Sequence, residues 1–235
     1  MIVWVLLGLL WLVSPSWALD YRSNDSGTIA SGTALLVNAP SGTVAGDLVL
    51  IGVSTNINTT IADNNGGTPF TEDITDFGLS SMRCAFFSRR IQSGDPSSYA
   101  FTLGASTGAR ATAVTLSNPD PTTIYDDGPT GATGSNTTPT SDARTTSSDN
   151  AVMLQWYLID GGGHTFSSKP GGYTEIVDLN TNTSHWVGYR LKTPAGSESA
   201  QAITISPLSQ WCAISVAIEQ PVVSASFGPL RQRTH

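Results

Sequence analysis

The sequence predicts an all-β fold: one antiparallel β-sandwich over residues 33–220, with two similar halves suggested by its strand order. Three observations carry this. Ser and Thr make up about a quarter of the chain and Gly contributes 23 of its 235 residues, while Lys, Glu and Gln, good helix formers, are scarce. Short runs of β-branched and aromatic residues recur between clusters of Gly, Asn, Asp, Ser and Pro. Beyond the N-terminal run no window keeps a 3.6-residue apolar period, whereas Gln210–Glu219 alternates. There Cys212, Ile214, Val216 and Ile218 share one face, as in a half-buried antiparallel strand.

Taken in order, residues 1–13 are apolar apart from Gly8. The run is shorter than the ~20 residues a bilayer span needs. With Ser16 and Ala18 before Leu19 it reads as a secretory signal peptide over residues 1–18, although no Lys or Arg precedes it. The other reading is an uncleaved apolar arm. Residues 19–32 lack a core-forming pattern and are expected to be an arm. Strands are expected at Thr33–Asn38, Asp47–Ser54, Met82–Arg90, Ser98–Leu103 and Ala111–Asn118. A second set is expected at Ala151–Ile159, Tyr173–Asp178, His185–Lys192, Ala200–Ile205 and Cys212–Glu219.

The two sets run in the same order, each with a Thr-Glu segment (Thr71-Glu72, Thr174-Glu175) followed by an Arg-bearing strand (Arg89, Arg190). This suggests a duplicated half-domain; the alternative is the periodicity any sandwich shows. Ser117–Ser148 is a long connection rich in Thr, Gly, Asp and Pro, with room for a short strand at Thr123–Tyr125. Residues 221–235 read as a tail.

The net charge of −7 and pI near 4.7 argue against nucleic acid as a partner, because backbone phosphates need a basic face. They argue equally against docking on an anionic membrane surface. Chemistry is sparse. Of three histidines, His164 follows three glycines in a loop and reads as solvated. His185 abuts Trp186 and reads as packing, and His235 is the last residue. There is no H-E-x-x-H motif. No catalytic residues, and no cofactor, are therefore expected.

Asp120, Asp126 and Asp127 bracket a loop and are weak calcium candidates; turn formation explains them equally well. Alternation leaves one of each adjacent aromatic pair facing away from a core, so Phe87, Trp156 and Trp186 are candidates for stacking on a glycan. Cys84 shares a face with Met82 and Phe86, and Cys212 with Ile214. Both point to the core from opposite halves, which suggests a disulfide; two buried thiols are the other reading. Four N-x-S/T sequons, at Asn24, Asn58, Asn136 and Asn182, are near the number this composition gives by chance.

From Asp47 to Gln220 the chain resembles a family of jelly-roll-like β-sandwich modules found in phage virion and tail proteins and in secreted bacterial surface proteins. The likeness rests on Gly46-Asp47-Leu48-Val49-Leu50, on the hairpin residues Phe87, Arg89, Gly94, Asp95, Pro96, Tyr99 and Phe101, and on Ile124 and Asp126. Pro69-Phe70 stands where that family usually carries Trp. The resemblance implies a non-enzymatic structural or adhesive protein of a virion or extracellular surface assembly. Its expected partners are further copies, other structural proteins or a surface glycan. A secreted carbohydrate-binding module is the alternative.

Overall fold

A computed structural model of the chain describes residues 18–221, the side chains of Thr75 and Asp76 excepted. The expected signal segment, the tail and His235 thus lie wholly or almost wholly outside the described residues. The described chain is all β, and every strand pairing is antiparallel.

The first half contains β1 (Asp20–Ile29), β2 (Ala34–Asn38), β3 (Leu48–Thr55), β4 (Ile61–Asp63), β5 (Thr71–Gly78), β6 (Arg83–Arg90), β7 (Ser98–Leu103) and β8 (Ala109–Ser117). A five-stranded sheet runs β1-β8-β3-β6-β5, and a three-stranded sheet runs β2-β7-β4. The second half contains β9 (Tyr125–Asn136), β10 (Arg144–Thr146), β11 (Ala151–Ile159), β12 (Thr165–Ser167), β13 (Thr174–Leu179), β14 (Ser184–Lys192), β15 (Gly196–Glu198), β16 (Thr204–Ser206) and β17 (Ser209–Ile218). Its five-stranded sheet runs β9-β17-β11-β14-β13, strand for strand the order of the first, with the small pairs β10-β15 and β12-β16 in place of the three-stranded sheet.

Local detail repeats as well. A bulge interrupts the edge pairing after Glu72 in β5 and after Glu175 in β13. Arg89 pairs with Asp95 in the turn after β6, and Arg190 pairs with Glu198 beyond β14. Matching order, bulge and ion pair are what a duplicated unit gives.

Among the described residues three cores separate the layers. One lies between the two sheets of the first half, with Val49, Ile51, Phe87, Tyr99 and Phe101. Another lies outside the second large sheet, with Tyr157, Trp186, Ile205 and Trp211. The central core joins the two large sheets through Leu50, Phe86, Val114, Leu154, Trp156 and Val216. The large sheets are therefore covered on both faces. This is why β3 and β11 read as continuous apolar runs, and why β17, whose alternation suggested a half-buried strand, is buried on both faces.

Four expectations change. The sandwich over residues 33–220 has more layers than two sheets: each half is layered on its own core, and the halves share a third. In the first half the pairs β1–β8, β2–β7 and β3–β6 nest as in a rolled hairpin, but β5 joins β6 on the large sheet rather than completing the small one. Residues 19–32 are no arm. Leu19 is buried in the central core and β1 pairs along β8; its polar sequence suits an edge strand. The connection after Ser117 contains β9, a 12-residue edge strand in which Pro129 is tolerated because the ladder is irregular there. Of the expected strand at Ala200–Ile205 only Thr204 and Ile205 belong to one, β16, while Ala202 makes an isolated bridge to Thr140.

Candidate functional site

The seam between the halves is built by complementary residue sizes. Gly52 of β3 and Trp156 of β11 hold equivalent places in their sheets, each the middle of a row across β6–β3–β8 or β14–β11–β17. A Cβ on Gly52 would lie 2.8 Å from Trp156 Cδ1, so the indole occupies the space the glycine leaves. Phe86 meets Trp156 edge-on, with ring centroids 4.9 Å apart. Gly131 of β9 leaves room for Phe77 in the same way.

One end of the seam is polar. His185 is fully buried, with Nε2 2.7 Å from Ser54 Oγ and Nδ1 2.8 Å from Thr112 Oγ1. Both hydroxyls can donate or accept, so either neutral tautomer is satisfied. Burial first, and then the Arg110 guanidinium, hold the imidazole well below its ordinary range. Arg110 itself donates to the carbonyls of Thr183 (2.9 Å) and Thr181 (2.5 Å) across the seam. This cluster ties the halves together, and His185, which was expected to serve packing, is buried within it.

His164 is buried rather than solvated, because its loop folds back on Ser184: Nδ1 lies 3.3 Å from Ser184 Oγ. Desolvation lowers its pKa, against the opposing pull of Asp160. Ser184 is itself buried and donates to the Gly161 carbonyl, so the Ser–His pair caps a loop and does not present a nucleophile.

Cys84 and Cys212 face each other across the central core as free thiols, which corrects the expected disulfide. Burial, and then its hydrogen bond to Cys212, push the Cys84 thiol well up.

The glycan candidates are also corrected. Phe87 and Trp156 are 0% exposed and Trp186 is 1% exposed. Alternation does point them away from one core, but a second core receives them. No aromatic side chain among the described residues is exposed.

The calcium candidates are occupied by turns. Asp120 Oδ1 accepts the backbone N–H groups of Thr122 and Thr123 at 2.8 Å. Asp126 receives those of Ser147 and Ser148, and Asp127 that of Thr145 together with the Arg144 guanidinium. Among the described residues no group of three or more His, Cys, Asp or Glu side chains could hold a metal. Of the sequons, Asn24 and Asn182 donate their amides to Tyr21 and Thr28, while Asn58 and Asn136 are exposed.

A feature missed in the sequence lies in the first half. The β2–β3 and β6–β7 loops enclose a cleft of about 420 Å³, with Val44, Ile91 and Pro96 on its walls and Tyr99 lining it. The Arg89–Asp95 pair stiffens one wall: Asp95 accepts Arg89 Nε at 2.9 Å, Nη2 at 2.7 Å and the Gln92 N–H at 2.9 Å. These contacts hold the Asp95 carboxyl below its usual range. The hairpin residues Gly94, Asp95, Pro96 and Tyr99 were visible in sequence; the loop opposite them was not.

No family model, curated protein or solved structure matches the chain.

Proposed function

We propose that the protein is a non-enzymatic structural module that presents a rigid double sandwich within a virion or extracellular surface assembly. The observation that carries this is the meeting of Leu19 and Gln220, whose side-by-side placement brings both ends of the described chain to one pole. Held there, the body projects the opposite pole, where the seam is closed by Arg110, His185 and the loop at Asp160–His164. Three cores and a polar clasp give the stiffness that display requires. The hairpin resemblance to virion and surface modules supports the same reading. So do the engagements of His164, His185 and Asp126, whose polar atoms serve turns and packing.

Sedimentation of the full chain and of a chain lacking residues 222–235 tests this. A concentration-dependent assembly formed by the full chain is expected. A stable monomer in both cases would overturn the assembly role.

A further inference from the structure

We propose that the cleft between the β2–β3 and β6–β7 loops binds a neutral, hydroxyl-bearing small molecule of saccharide size. The cleft lies within the first half. Residues 39–47 separate β2 from β3, whereas only residues 147–150 separate the equivalent β10 and β11. The shared fold therefore does not require the longer loop, and the departure builds a concavity. Its volume of about 420 Å³ falls in the range of small-ligand sites, about 300–1,000 Å³.

The chemistry of the lining selects the ligand. Tyr99 is 1% exposed, its ring packed edge-on against Phe70 with centroids 4.9 Å apart. Its hydroxyl has no hydrogen-bond partner among the described residues. Burial and the nearby Asp95 push the phenol up to about 12, so it stays protonated and able to donate. The hydroxyls of Ser93 and Ser97 and the Gln92 side-chain amide are also without partners among the described residues, and they line the same cleft. These are neutral groups, and most of them both donate and accept, which matches the hydroxyls of a polyol. The one carboxylate, Asp95, is already neutralised by Arg89, so the site has no uncompensated charge for an ion. Val44, Ile91 and Pro96 give the apolar surface on which a sugar ring's C–H face can rest.

The test is an NMR titration of the full chain with glucose, galactose, mannose, N-acetylglucosamine and their common disaccharides. Saturable binding of at least one is expected, with amide shifts confined to residues 39–47 and 91–99. Tyr99→Phe keeps the ring and removes one hydrogen bond; it should weaken binding about tenfold. Val44→Arg, on an exposed loop position, should abolish it while leaving the remaining spectrum unchanged. Absence of saturation with every sugar, shifts centred elsewhere, or unchanged affinity in both variants would overturn the proposal. None of these outcomes depends on the sedimentation result, so this site and the assembly role stand or fall separately.

Discussion

The backbone N–H of Leu19 donates to Gln220 Oε1 at 2.9 Å, and Gln220 Nε2 donates back to the Leu19 carbonyl at 3.3 Å. The pair joins residues 201 positions apart and closes the double sandwich where its first strand begins and its last has ended. Leu19 lies in the central core although the residues after it are polar. Leu19→Ala is therefore expected to cost about 2–4 kcal/mol, and Gln220→Ala about 1 kcal/mol, read as lowered urea midpoints. A midpoint unmoved by Leu19→Ala would show that the N-terminal edge does not belong to the cooperative core.

Gly52→Ala is expected to destabilise by about 1–3 kcal/mol, because the added methyl overlaps the Trp156 indole rather than solvent. Combining it with Trp156→Leu should recover part of that loss, giving a coupling of about 0.5–3 kcal/mol in a double-mutant cycle. Additive effects would mean that the two residues do not share the space between the sheets.

What a residue faces decides whether its role could be read from sequence. The strands β3, β6, β8, β11 and β14 are readable because an apolar run bounded by turn residues is the pattern of a buried strand, and β17 because its side chains alternate. Trp156 and Phe87 were misread for a definite reason. Alternation tells which residues share a face, and it does not tell whether the other face meets solvent or a further layer. β1 and β9 were hidden because edge strands tolerate polar residues, Gly and Pro. The duplication was visible through Arg89 and Arg190, while the cleft depends on two loops that only the fold brings together.

Acid should loosen the seam. The folded-state pKa of His185 lies well below the ordinary 6.5, and that of His164 is lowered too. Their contribution is fully present above about pH 6.5. It is lost as pH falls below that value, because the unfolded chain takes up protons the folded one excludes. Asp73 and Asp160 have raised values and oppose this trend only in the lower, carboxylate range. Urea unfolding between pH 7.5 and 5.5 should show stability falling by up to about 1.4 kcal/mol per pH unit per proton. His185→Gln should flatten the slope; an unchanged slope would remove His185 from this role.

The thiols of Cys84 and Cys212 should be inert in the folded protein and both react with a thiol reagent after denaturation. Non-reducing peptide mapping should find the two cysteine peptides separate. A bridged peptide would contradict the free state of the two thiols.

If the two halves form one rigid body around a shared core, they must open together, and amide hydrogen exchange reads this out strand by strand. Amides of β3 and β8 in one half and of β11 and β17 in the other should exchange with the same, global free energy of opening. Protection in one half that persists under conditions where the other has opened would show instead two independent sandwiches joined by a chain.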